Sequence, residues 1–350
     1  MTTHYRCTVG RLGLAAVIVA TAVIGPCLVG RPSGILVAAS GPPQAQPGRD
    51  DRPRPQGSGS DRSSIDRQTR TLALGAAGNL ELRTVSGDIT VVAGRGRDVQ
   101  LEIVRTVRAR TPEEVTRGLA EVTAVVDHQG DRASVTAVYP TGRRLPFRVD
   151  VSYVVTAPPG TRISLSTVSG HVNVSGIKGD RSASVTSGAI EISGAGQVST
   201  ARTISGDVTL TDVTSDAGMT LGTVSGNIRI ERVTARRVEV DSTSGSITAR
   251  RVSCERAALR TLSGEIDYNG ELARGGRYEF QSHSGNVHVI AGGQAGFTLQ
   301  ASSFSGTIQP ASSVALKGVT ADRRSLRGTY GDGSAALIAT TFSGNVTIGR

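Results

Sequence analysis

The dipeptide Ser-Gly returns along this 350-residue chain at a nearly constant step. It stands at Ser86, Ser169, Ser187, Ser205, Ser225, Ser244, Ser263, Ser284, Ser305 and Ser343, each time followed by a polar or small residue and then an aliphatic one. From Ser169 the steps are 18, 18, 20, 19, 19, 21, 21 and 38 residues. A period near 20 is that of a solenoid, in which no single repeat can bury its own apolar face and each stacks on the next. The double-length last step predicts one degenerate copy around Ser325, where Ser-Leu-Arg-Gly replaces Ser-Gly.

The columns of the repeat have a chemical reading. Two places before the serine stands a hydroxyl, at Thr84, Thr167, Thr203, Thr223, Ser242, Thr261, Ser282, Ser303 and Thr341, with Val185 the exception. After the glycine, aliphatic residues alternate with polar ones, as in Ile190-Glu191-Ile192, Val208-Thr209-Leu210 and Val287-His288-Val289. Alternation at period two means a strand with one face buried. Gly87, Gly170, Gly188, Gly206, Gly226, Gly245, Gly264, Gly285, Gly306 and Gly344 are therefore expected at sharp corners, where positive φ is needed and a neighbouring hydroxyl bonds local backbone. The fold class expected is all-β: a single-stranded parallel β-helix, right-handed in its winding, over residues 161–350. Stacking rungs at the strand spacing makes a rod roughly 40–45 Å long.

Between Ser86 and Ser169 the period lapses. Val99–Val107 alternates as a strand, and Thr111-Pro112-Glu113-Glu114 supplies the cap hydroxyl, first-turn proline and glutamate that open a helix. Alternating runs 133–139 and 148–156 predict a small antiparallel layer beneath that helix. Residues 71–160 thus read as a β-rich α+β region that caps the first rung.

Upstream, Arg6 and Arg11 precede an uncharged apolar stretch from Leu12 to Gly30, and Val37-Ala38-Ala39 carries the small residues that a signal peptidase reads. Residues 1–39 read as a signal peptide or a membrane anchor, and either one puts the rest of the chain outside the cytoplasm as a secreted, periplasmic or surface protein. Residues 40–70, rich in Pro, Gly and Arg, read as a disordered linker. Cys7 and Cys27 belong to the leader, so a cleaved chain keeps only Cys254 and forms no internal disulfide. Aromatics make up 3% of the chain, which restricts the core to small branched side chains and argues against a helical bundle. The net charge of +10 is almost wholly arginine, Lys178 and Lys317 being the only lysines; it permits an anionic partner without requiring one.

The repeated Thr-(Val/Ile/Leu)-Ser-Gly-x-(Ile/Val)-x-(Val/Ile/Leu), with Gly328-Thr329-Tyr330-Gly331-Asp332-Gly333 and Thr341-Phe342-Ser343-Gly344-Asn345-Val346-Thr347-Ile348 near the end, resembles the bacterial adhesin-like domains of β-strand repeats, a family without assigned function. The resemblance covers residues 71–350. It implies an exported, noncatalytic β-solenoid connected with adhesion or envelope stress, and it offers no catalytic residue to carry over.

Ten equivalent serines argue against a nucleophile, which needs one privileged base and oxyanion hole. Asp88, Asp207, Asn227, Glu265, Asn286 and Asn345 follow the glycine and read as a ladder of polar side chains at the turn exit. His283 and His288 point to opposite faces of one strand, so no metal or other cofactor is expected. The alternative is a polysaccharide-active β-helix enzyme, a lyase or hydrolase; its candidate carboxylates Glu191 and Asp267 fall about four rungs apart, too far for a glycosidase pair. One feature suggests binding: at the 19-residue step Arg232 stacks on Arg251 and Arg237 on Arg256, like charges that a bound anion would relieve. The expected partners are an anionic polysaccharide or another envelope component, or an envelope protein. No nucleic acid is expected, and membrane contact only through residues 12–30.

Overall fold

The Ser-Gly strands pair in parallel, with serine opposite serine in every rung, and all 23 strands join one continuous sheet. The computed structural model describes residues 62–141 and 145–350; the expected leader and the linker up to residue 61 lie outside the described residues. Within Ser58–Arg350, which forms one compact unit, nearly every inward side chain is a Val, Ile, Leu or Ala. Phe147, Tyr153, Tyr268, Tyr278, Phe280 and Phe297 are the aromatic exceptions.

All ten glycines of the motif lie at positive φ, between 129° and 159°. Their second constraint is proximity. A Cβ on Gly226 would stand 2.1 Å from the carbonyl oxygen of Gly206 in the rung beneath. The Gly226 N–H in turn donates to the Ser244 carbonyl above, 3.0 Å away. The corner is thus a column of glycines in backbone contact, which no side chain can enter.

The hydroxyl serving this corner is not the one expected. It belongs to the buried Thr or Ser two places upstream, which donates to the glycine carbonyl of the adjoining rung at 2.8–3.4 Å in seven rungs. The bond crosses between rungs instead of closing locally, because the upstream residue points inward and meets the neighbouring carbonyl. The serine of Ser-Gly faces solvent along the Ser169–Ser343 rungs. At the turn exit, Asp207 Oδ1 accepts the Asn227 N–H (2.7 Å), Asn227 Oδ1 that of Ser246 (3.0 Å) and Asn286 Oδ1 that of Asn345 (2.9 Å). At these rungs the polar ladder ties one turn exit to the next.

Rung order departs from chain order at the C-terminal end. Strand Ala335–Ser343 pairs with Ile266–Ser284 on one side and with Phe297–Ser305 on the other. Spatially the serines therefore run Ser263, Ser284, Ser343, Ser305. The degenerate copy expected near Ser325 is no rung: Ser325–Tyr330 runs antiparallel to Phe297–Ser305, with Lys317–Ala321 antiparallel outside it. The physical reason is the turn that follows. Gly331 and Gly333 lie at φ 62° and 65°, and Asp332 Oδ1 accepts the Gly296 N–H at 2.7 Å. The chain reverses there and enters the ladder one rung back.

At the other end, Asn79–Ser86 and Ile89–Ala93 stack directly on Arg162–Ser169 and Val172–Ser175, so the ladder passes uninterrupted beneath the insertion. The insertion holds the capped helix Pro112–Glu121, with Thr111 and Glu114 forming a reciprocal capping box. Its strands are not simply antiparallel. Arg132–Val138 and Arg148–Ala157 pair in parallel with Asn79–Ser86 and Ile89–Ala93, as a further rung would. Val99–Ala109 and Thr123–Gln129 then add antiparallel partners. The linker expected to reach residue 70 gives way at Arg62, where Arg62–Leu72 forms an edge strand on Val99–Ala109. Ile65 is exposed and Leu72 is the strand's one buried residue, so it carries little apolar period. What holds it is backbone pairing and Asp66, which takes the nearly buried Arg105 guanidinium at 2.5 Å.

Candidate functional site

Two outward features lie on the sheet face that leads into each Ser-Gly corner. Along it the chain alternates, so residues one, three, five and seven before each serine point out, and each such position stacks into a column at the strand spacing of about 4.8 Å.

The farthest column holds two of the four expected arginines. Arg237 and Arg256 are register partners, and Arg256 in turn pairs with Arg277, a third member hidden from the sequence by a 21-residue step. Arg237 contacts Glu239 at 2.5 Å and Arg277 contacts Glu279 at 2.6 Å, while Arg256 has no ion-pair partner among the described residues. Arg232 and Arg251 form a different column. Both lie at φ 53°, above Asp212 at φ 55°, on a second corner. Arg232 binds Asp212 at 2.5 and 3.0 Å and Glu231 at 2.6 Å, and Arg251 also contacts Glu231. The hydrogen bond from Arg232 lowers the Asp212 carboxyl below the ordinary range and raises the guanidinium. The four arginines are therefore two strips, and the corner strip is largely neutralised by its own carboxylates.

The nearest column was not singled out from sequence. The residue just before each serine is outward, and in seven rungs it is apolar: Val85, Val168, Ile204, Val224, Leu262, Phe342 and Phe304, each 45–54% exposed. His283 completes an aromatic stack that exists only because of the changed rung order. His283 lies 4.9 Å from Phe342 and Phe342 4.7 Å from Phe304, with planes within 11° and 5° of parallel, and the Arg324 guanidinium covers the last ring at 4.0 Å. The rings cover one another's faces and present edges to solvent. A shallow groove of about 700 Å³ runs beside the stack, lined among others by Arg260, Gln281 and Thr340. The signal in the sequence was the apolar residue inside Thr-x-Ser-Gly; reading it as outward requires knowing that the threonine points in.

Glu191 and Asp267 share one outward column with Thr209, Arg229 and Thr248 between them. Their separation is about 19 Å at the strand spacing, beyond the ~9.5 Å reach of a glycosidase pair. His283 and His288, expected on opposite faces of one strand, instead lie on two strands, Ile266–Ser284 and Val287–Gly292, on either side of the Gly285 corner, and both point outward. Among the described residues no three His, Cys, Asp or Glu side chains gather as a metal site, and no helix is long and apolar enough to cross a membrane. Cys254 is buried, and burial pushes its thiol up to about 11.

Residues 197–349 match the family profile described as Toastrack DUF4097. No curated protein matches the chain. Solved structures that resemble it include a proposed adhesin of Bacteroides fragilis (13% identity, 81% of this chain and 97% of that one, TM-score 0.38). Others are a proposed adhesin of Parabacteroides merdae (10%, 81% and 96%, 0.40) and a proposed lipid-binding protein of Parabacteroides distasonis (11%, 81% and 97%, 0.38).

Proposed function

We propose that this chain, whose residues 197–349 are a Toastrack DUF4097 domain, is an exported, noncatalytic scaffold of the cell envelope, adhesin-like in role, that holds anionic polymer along the Arg237–Arg256–Arg277 column. In this reading the solenoid winds right-handed and the N-terminal α+β region closes its first rung. The observation that carries it is Arg256, held in register between two other arginines without a carboxylate of its own. Three guanidiniums in one column at the strand spacing match a linear polyanion, whose repeated charges meet one rung after another. Arg232 and Arg251 contribute less, since Asp212 and Glu231 already engage them. The separation of Glu191 from Asp267 supports the noncatalytic part.

Retention on immobilised polygalacturonate tests this. Binding should fall steeply as salt rises past 0.15 M, where the Debye length is about 8 Å. Changing Arg237, Arg256 and Arg277 together to glutamine should abolish it, with folding stability changed by at most about 1 kcal/mol. Incubation should release no new reducing or unsaturated ends. Unchanged retention by the triple variant would refute the arginine column, and product formation would refute the noncatalytic assignment.

A further inference from the structure

Parallel sheets almost always have both faces covered, and here the inner face is covered by the solenoid core while the outer carries a column of ten residues, seven of them half-exposed apolar side chains and the others Thr186, Thr243 and His283. Seven such side chains leave on the order of 600 Å² of apolar surface, at the upper end of the largest patch on an ordinary monomer. With its polar neighbours the face approaches the roughly 800 Å² per partner of a standard interface. Beside Val224 in this column lies Gly222, a gap in the polar column three places before the serine. Arg202 stands in that column one rung below and Asp241 one rung above. Both are exposed, and neither has an ion-pair partner among the described residues.

We propose that two copies of this chain pair through this face as an antiparallel, two-fold dimer centred on Val224 and Gly222. A two-fold axis along the strand direction keeps each column opposite its own counterpart and reverses rung order. Arg202 then meets the partner's Asp241, and the symmetry repeats the contact, so two unpaired charges on each chain become two intermolecular pairs. Size argues for the same arrangement. The apolar column grows from Val85, Val168 and Thr186 at one end to His283 and Phe342 at the other; reversal sets Phe342 over Val85 and His283 over Val168. The two sheets can then lie evenly about 10 Å apart. A parallel pair, with its axis along the apolar column, would oppose Phe to Phe and carry the Arg202 and Asp241 column away from its counterpart. Because the rings show edges rather than faces, the surface suits another side-chain layer better than a stacked sugar. The arginine column lies on the same face, so this dimer would compete with polymer binding, and sedimentation without polymer tests it separately from that reading.

The test is sedimentation equilibrium on Ser58–Arg350, the self-contained unit, with charge reversals. Wild type should dimerise at micromolar concentration, and Arg202→Glu or Asp241→Arg alone should weaken dimerisation at least tenfold. Mixing the two single variants should restore it, because each chain then supplies what the other lacks, a result no intrachain effect produces. Independently, Val224→Cys should be joined to its own counterpart by a short bis-maleimide cross-linker, which spans the sheet separation of about 10 Å. Val85→Cys should cross-link to Phe342→Cys in a mixture and not to itself. A monomer throughout, a dimer indifferent to both reversals, a mixture no stronger than its components, or Val85→Cys self-linking would each overturn the proposal.

Discussion

Gly226→Ala isolates the corner that defines the ladder. The residue has φ 147°, a region essentially reserved for glycine, where an L side chain costs of order 1–3 kcal/mol. Its new Cβ would also lie 2.1 Å from the Gly206 oxygen and 2.6 Å from the Gly206 carbonyl carbon. Gly206 cannot yield cheaply, since its N–H is bonded to Ser225 and its oxygen accepts the Thr223 hydroxyl at 3.1 Å. Overpacking against fixed neighbours adds about 1–3 kcal/mol, giving about 2–6 kcal/mol in all. At about 2–4 °C per kcal/mol for a domain of this class, the melting temperature should fall by about 12 °C at the middle of both ranges, read by circular dichroism or calorimetry. Thr223→Val removes only the hydroxyl bond and should cost about 1–2 kcal/mol, whereas Ser225→Ala, at an exposed side chain, should stay within ~0.5 kcal/mol. A Gly226→Ala variant within 1 kcal/mol of wild type, or Ser225→Ala as damaging as Thr223→Val, would refute the reasoning.

Two further outcomes follow from buried groups. Arg181 is 2% exposed, donates from Nε and Nη2 to the Gln197 carbonyl, and leaves Nη1 unpaired; burial lowers its guanidinium to about 10. Arg181→Met should therefore be neutral or stabilising by about 1–3 kcal/mol at pH 7 in denaturant titration. Because the folded state loses this proton before the unfolded one, the advantage should hold below pH 10 and shrink as pH rises above it. A strongly destabilised variant would show the guanidinium to be needed. Cys254, buried and with its thiol raised, should resist iodoacetamide at pH 8 in the native state and react on unfolding, as followed by mass spectrometry. Rapid native alkylation would contradict its placement.

The strands, their inward faces and the glycine corners were legible because each is dictated within a few residues. Period-two alternation chooses the buried face at Ile190-Glu191-Ile192, and no side chain tolerates the backbone of Gly226. Helix Pro112–Glu121 was legible for the same reason, its capping box lying within four residues. The strand Arg62–Leu72 was not, since it carries little apolar pattern and is held by pairing with a strand nearly forty residues away, as Asp66 is by Arg105.

By itself, then, the sequence determined that this chain makes stacked β rungs with glycine corners and a narrow aliphatic core. Tertiary structure alone decided which rung adjoins which. Every Ser-Gly strand offers nearly the same edge of donors and acceptors, so the hydrogen-bond ladder does not distinguish Ser305 from Ser343 as the neighbour of Ser284. That choice falls to the antiparallel hairpin and to the Gly331-Asp332-Gly333 reversal, which return the last strand one rung early. The outward chemistry depends on such spatial neighbours: the contacts of His283 with Phe342 and of Phe342 with Phe304 follow from the order so chosen, and the pairing of Arg256 with Arg277 from a register shift between consecutive rungs.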